Sequence, residues 1–358
     1  ITSSGGVQTR SSAAQVSLVQ PLLHGGGGDG TMAPVRTARL GETINHLSLK
    51  QTVSQTIGQV VVAYRGLLQA QEELKLARTS LARSQDLVEV NRALINAGRM
   101  ASVEIVQSEM DVENQRIQLL RASKGVEDAR LALLNFLSLD LGTAVAANES
   151  TIPQRIKPEL PTVMKIALDE RPDYVSQLLI VEQARLGIVV AENQKLWDLS
   201  VFANGTYGRQ TVTGVPGSQP ISDTTVGVSL NIPINSLQRD QPYVQATTAL
   251  KTSQLQLATI RQGVELQVRS AVSEIDVAWQ QLEGARRAQE LAERAVDIEK
   301  DKLRVGRSST FQVRSLESDL RAADEQKLSA TITYLDALTT LDLALGTTLK
   351  TWRITLKD

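Results

Sequence analysis

The feature that most constrains this chain is a seven-residue apolar repeat carried through more than fifty positions without a proline. From about Leu40 to Asn96, Ala63, Ala70 and Ala77 alternate with Leu67, Leu74 and Leu81. A 3.5-residue period predicts a long helix whose apolar seam faces another helix. Beyond Gly98, Ile105, Val112, Leu119, Val126 and Leu133 repeat the spacing up to "LSLDLGT". Two helices joined at Gly98 make an antiparallel hairpin. The later half follows the same plan, with Ala278, Ala285 and Ala292 leading to Gly306 and Ala323, Ala330, Ala337 and Ala344 beyond it. Ala at every seventh place lets helix backbones approach closely, and the period sets a left-handed supercoil.

The two turns share a phrase. "NAGRMASVEIVQSEMD" begins at Asn96 and "RVGRSSTFQVRSLESD" at Arg304, so Gly98 and Gly306 stand 208 positions apart. Each Gly-Arg is followed by apolar residues five and seven places on: Val103 and Ile105, then Phe311 and Val313. Further up the arms, "AYRGLLQA" from Ala63 matches "AWQQLEGA" from Ala278 at an offset of 215. The extra seven residues are one heptad, which lengthens an arm without rotating its seam.

Between the helical halves the period changes to two. "WDLSVFANGTY" places Trp197, Leu199, Val201, Ala203 and Tyr207 on one side of a strand. "VGVSLNIPIN" sets Val226, Val228, Leu230, Ile232 and Ile234 against Gly227, Ser229, Asn231, Pro233 and Asn235. One face is apolar and the other small and polar. "VSLVQPLL" from Val16 echoes "VSLNIPIN", so the β part is duplicated as well. A helix over 162–195 and a strand precede the second copy. Their counterparts would fall before Ile1, which predicts about 60 or more preceding residues by the repeat argument. Ile1 to Ala14 then reads as a loop.

Composition narrows the function. With 38 basic and 39 acidic residues the net charge is −1, and no basic-aromatic stripe is present, which argues against nucleic acid. No Cys and only His24 and His46 leave no thiol chemistry and no common zinc site. No cofactor or metal is implied. Nucleophile, base and orienting group nowhere converge, so the reading is a non-enzyme. Aromatics make up 3% of the chain, and Ala and Leu must do the packing. No run of eighteen apolar residues marks a membrane helix, and the first residues do not form a signal peptide. "HGGGGDG" from His24 lacks the Lys-Ser/Thr of a phosphate loop and reads as a flexible link from strand to helix.

Few strands, each running into helices that at ~1.5 Å per residue extend roughly 60 to 85 Å, do not make a sandwich. Copies sharing one sheet can close it with the apolar face toward lipid and the polar face toward water. The helices would continue that wall as a tube.

The phrases quoted above, with "LALLNFLSLDLG", "LDLALGTTL" and "ALDERPDY", resemble the outer membrane factor family, the TolC-like exit ducts of Gram-negative efflux and type I secretion systems. The resemblance covers essentially the whole chain. It implies a mainly α fold with a small β part: a homotrimer with a twelve-stranded outer membrane β-barrel, four strands per protomer, and a periplasmic α-barrel of helical hairpins. The segments expected are a barrel strand and loop (1–39), a first hairpin (40–142), an equatorial segment with a leading helix (143–195), a barrel hairpin (196–240), a second hairpin (241–346) and an equatorial tail (347–358). Implied partners are outer membrane lipid, a periplasmic adaptor and, through it, an inner-membrane pump.

The same resemblance makes Gly98, Arg99, Gly306 and Arg307 the periplasmic tip, where the adaptor docks and the pore closes. The residues also suit a tight left-handed turn followed by a solvated charge. Many members carry Asp six and nine places after the second tip glycine; here Gln312 and Ser315 stand there, and only Glu104, six places after the first, offers a carboxylate. Asp198 and Asn204 are expected to line a lumen, Trp197 and Tyr207 to belong to an aromatic girdle, and Trp279 and Tyr64 to pack in the core. The competing readings are a soluble coiled-coil scaffold, against which the strand alternation argues, and an adaptor, which carries one hairpin rather than two.

Overall fold

The computed structural model describes residues 9–148, 153–212, 216–234 and 237–356. Asn235, assigned above to the polar strand face, lies outside them. The chain divides into two compact units, Ile1–Ser48 with Asp173–Ile260, and Leu49–Pro172 with Arg261–Asp358. The elements are β1 (Thr9–Pro21), α1 (Gly28–Asn96), α2 (Glu104–Phe136), α3 (Leu160–Glu170), α4 (Pro172–Lys195), β2 (Asp198–Val212), β3 (Gln219–Asn231), α5 (Leu237–Arg304), α6 (Thr310–Leu345) and α7 (Thr348–Thr351).

In the first unit the strands form an antiparallel sheet in the order β1-β2-β3. The register places Leu18 opposite Ala203, Ala203 opposite Val226, and Val201 opposite Val228. The alternating apolar residues therefore share one face, and that face is open: Val16 is 73% exposed, Leu18 69%, Val226 70% and Val228 67%. On the reverse face Ser17 Oγ donates to Asn204 Oδ1 at 2.6 Å. Phe202 interrupts that polar face. Its ring lies over Gly227, where a Cβ would come within 2.7 Å of ring Cζ.

Thr9 to Ala14, expected to be loop, belong to β1. The glycine run after Pro21 is likewise a pinned corner rather than a flexible link. Asn193 of α4 accepts the Gly25 N–H at 2.8 Å and donates to the Gly26 carbonyl at 3.0 Å. Gly30 packs so closely on Asn193 that a Cβ would meet its Cγ at 2.9 Å. These contacts fix the chain's exit from the sheet, and α1 starts at Gly28, a dozen residues before Leu40, running through Pro34.

The single helix expected over 162–195 is two. Pro172 disfavours helical geometry in the residue before it, and Arg171 is extended, with φ −68° and ψ 118°. Of the described helices, α4 alone is long and apolar enough to cross a membrane by length and composition, with a mean hydropathy of 1.3 over its best stretch, where no such run was expected. Its glutamines bind other helices of its unit. Gln183 Nε2 donates to the Thr37 carbonyl and Gln177 Nε2 to the Ser253 carbonyl, each at 3.0 Å.

The second unit is held by heptad seams. On α5, Val264, Val268, Ala271, Ile275, Ala278, Leu282 and Ala285 are buried at alternating spacings of four and three. On α6, Val313, Leu320, Ala323, Tyr334, Ala337, Leu341 and Ala344 follow the same frame. The Ala positions in these seams are small enough for helix backbones to approach closely. Arg65 of α1, 6% exposed, ties α1 to α6 by donating to the Leu335 carbonyl at 2.6 Å and to Thr339 Oγ1 at 2.7 Å, with Asp336 at 3.2 Å.

The irregular chain after α2 is gripped by side chains of four helices in turn. Arg130 of α2 holds the carbonyls of Leu141 and Thr143. Gln71 and Tyr64 of α1 accept the N–H groups of Ala147 and Asn148. Tyr334 of α6 donates to the Gln154 carbonyl and accepts the Ile156 N–H, both at 2.9 Å, and Arg155 reaches Asp276 of α5 at 3.5 Å. Trp279 is buried as expected, edge-on to Tyr334 with ring centroids 5.1 Å apart. Tyr64, read as a core residue, is only half-buried and serves this segment.

Candidate functional site

The two hairpin turns have the same backbone. Gly98 and Gly306 sit at φ +70° and +75°, the left-handed region that glycine enters without a Cβ penalty. At the first turn Gly98 N–H bonds to Ile95 O and Arg99 N–H to Leu94 O; at the second, Gly306 N–H bonds to Leu303 O and Arg307 N–H to Lys302 O, all at 2.8–2.9 Å. This pair of bonds is the Schellman motif, which satisfies the last carbonyls of α1 and α5. Ser309 then caps α6, its Oγ accepting the Gln312 N–H at 3.3 Å.

The turns lie against each other. Arg99 Nη2 stands 2.9 Å from where a Gly306 Cβ would be, and Thr310 Oγ1 is 3.8 Å from Met100 Sδ. Beneath them Leu87, Leu303 and Val313 form a buried cluster, flanked by Val90, Leu94 and Met100. Asn91, fully buried, joins three helices: its Nδ2 donates to Ser108 Oγ of α2 at 2.6 Å, and its Oδ1 accepts from Thr310 Oγ1 of α6 at 3.2 Å. A buried amide that finds both partners rigidifies its site, while losing one leaves a costly orphan. Nothing in the apolar repeat singled out Asn91. The one available signal was an Asn standing inside a helix whose neighbours Leu87 and Leu94 keep the apolar spacing.

The residues read as a constriction are not gathered into one cluster within the chain. Glu104 is half-buried at the start of α2, while Gln312 and Ser315 are exposed on α6. Among the described residues no side chain of the three hydrogen-bonds another. Ser315 instead borders a polar groove of about 380 Å³ with Arg83, Asp111, Phe311, Arg314 and Arg321. Further along the same helices Arg83 lies 3.8 Å from Asp324, whose pKa burial raises against the pull of that guanidinium. Near the second turn Ser308 and Lys302 hold the Glu299 carboxyl below its usual range.

At the sheet, Asp198 has partners within the chain. Arg239 contacts its Oδ2 at 2.6 Å, and His24 Nδ1 lies 3.8 Å from its Oδ1. Tyr207 is 73% exposed and Trp197 53%, both on the apolar side. No group of three or more His, Cys, Asp or Glu suited to a metal occurs among the described residues.

Comparison with known proteins gives this geometry a family. The chain is 22% identical over 277 residues to the outer membrane efflux protein BepC of Brucella suis, matching 77% of this chain and spanning 59% of that protein. The Campylobacter jejuni CmeC outer membrane channel shares the fold with a TM-score of 0.71 at 14% identity, over 97% of this chain and 80% of that one. The open-state MtrE channel of Neisseria gonorrhoeae gives 0.70 at 17% identity, over 98% and 82%. The sequence profile described as "Outer membrane efflux protein" matches residues 2–138 and 163–347. The chain belongs to the outer membrane efflux protein family, whose place is the outer membrane.

Proposed function

We propose that three copies of this chain assemble into a passive outer membrane conduit, gated at the hairpin turns and served by a periplasmic adaptor and an inner-membrane pump. It conducts rather than catalyses. In this reading 196–240 with the strand of 1–39 builds the barrel wall, 40–142 and 241–346 the periplasmic hairpins, and 143–195 with 347–358 the equatorial region. The two hairpins, with matching caps at Gly98 and Gly306, are the copies of an internal repeat.

The observation that carries the reading is the sheet. It offers lipid an open apolar face while both outer edges, on β1 and β3, lack a neighbour among the described residues. Edges inside a bilayer must be paired, and neighbouring copies supply the pairing by closing one barrel.

The helices support the trimer. Within the unit, α1 and α6 are tied by Arg65 and by Asn91 with Thr310, whereas α2 and α5 carry exposed apolar seams. On α5 these are Val277, Leu291 and Ile298, in steps of fourteen and seven; on α2 they are Val106, Met110, Ile117 and Leu120. Two open heptad seams per copy suit an α2–α5 contact between neighbours. The gate is the buried Asn91 tie with the apolar cluster below it, closed at rest and opened when the hairpins part.

The test is conductance of the purified full-length protein in planar bilayers. Small, mostly closed currents that grow in Asn91→Ala support the reading. Absence of any channel activity in bilayers that hold the inserted protein overturns it.

A further inference from the structure

The basic side chains around the turns fall into two groups. Those on the helix flanks have partners within the chain: Arg92 with Glu109 at 3.0 Å, Lys300 with Glu317 at 2.7 Å, Lys302 with Glu299 at 2.9 Å, Arg304 with Asp301 at 3.1 Å, and Arg314 over the Phe311 ring at 5.6 Å. Those at the turns are not. Arg99 and Arg307, each just after its left-handed glycine, are exposed and have no carboxylate in ion-pair contact among the described residues. The Arg99 guanidinium leans across Gly306, which brings the first hairpin's charge onto the second hairpin's turn. Large apolar side chains stand open beside them, Val103 at 67% exposure, Val305 at 63% and Phe311 at 62%.

Guanidinium groups left unpaired next to exposed apolar side chains have the make-up of a binding surface, since Arg forks onto carboxylates and the apolar neighbours exclude water from the contact. We propose that the turn end of this chain docks a protein segment that presents carboxylates flanked by apolar side chains, with Arg99 and Arg307 as its anchors. This rests on the reading of the turns as the adaptor-docking end and adds the chemistry of the segment received. Electrostatic complementarity of this kind fixes the choice of partner more than raw affinity.

The experiment places a photo-crosslinking amino acid at Phe311 of the full-length protein in cells and sequences the captured peptide by mass spectrometry. The expected result is a partner segment with excess Asp and Glu. Its yield should fall roughly tenfold or more in Arg99→Glu/Arg307→Glu and persist in Arg99→Lys/Arg307→Lys, which keeps the charge. A neutral or basic segment, or an undiminished yield in the Glu pair, overturns the proposal while leaving docking at the turns intact. No crosslink from Phe311 or from Val103 in an assembled protein overturns the docking reading and this proposal with it.

Discussion

Arg99 lies across Gly306, its Nη2 only 2.9 Å from the place a Cβ would occupy, so the second hairpin's turn is open to the first hairpin's side chain only because it is glycine. Gly98 has nothing within 4 Å of the same position. Gly306→Ala must therefore bear both a left-handed backbone and a displaced guanidinium, and Gly98→Ala the backbone alone, about 1 kcal/mol. Thermal unfolding of the two variants should show the larger loss for Gly306→Ala. Equal losses would mean that the Arg99 contact contributes nothing.

Asn91 ties α1, α2 and α6 through Ser108 and Thr310. Asn91→Ala should cost about 2–3 kcal/mol, because two hydroxyls lose their partner at a buried site. The effect should be local. Hydrogen exchange is expected to quicken around 87–108 and 303–313 and to stay unchanged around Tyr334.

The helical pattern was legible because burial enforces it: Leu67, Leu133, Leu282 and Val313 sit where their heptads require, each no more than 2% exposed. The turns were legible because φ near +70° selects glycine. Residues acting across the fold were not. Asn91, Tyr334 and Asn193 draw their roles from partners far away in sequence, and no local period carries that information. The glycine corner at Gly25–Gly30 read as flexible because its clamp, Asn193, arrives from α4. Glu104, Gln312 and Ser315 were chosen by position relative to the turn glycines. Within one chain they do not meet, and the constriction proposed for them would form between copies.

Two carboxylates should show opposite pH dependence. Glu170 accepts from Lys350 at 2.6 Å with Lys50 at 3.8 Å, and that Lys350 contact lowers its pKa. Its contribution is present above the ordinary carboxylate range and lost as pH falls through the depressed value. Asp342 is raised by burial, against the hydrogen bonds of Thr347 and Thr351. Its contribution is fully present below the ordinary range and lost as pH rises through the raised value. Melting curves at pH 4 to 7 should show Glu170→Gln most damaging at pH 7, and Asp342→Asn gaining on the parent protein as pH rises.

The exposed sheet face is predicted to meet lipid. Val228→Arg places a charge on it and should cost about 2–4 kcal/mol if Val228 lies near the bilayer centre. Ser229→Asp, on the opposite face, should be tolerated. Outer membrane yield of folded protein separates the two variants, and equal yields would remove the lipid-facing assignment.

Single-particle imaging of the full-length protein in detergent tests the central claim most directly. The account predicts a three-fold hollow particle in which one closed β-barrel, drawing strands from every copy, continues into an α-helical tube narrowed at the Gly98 and Gly306 turns. A monomer, or an assembly whose sheets stay separate with no bore through it, would contradict the account.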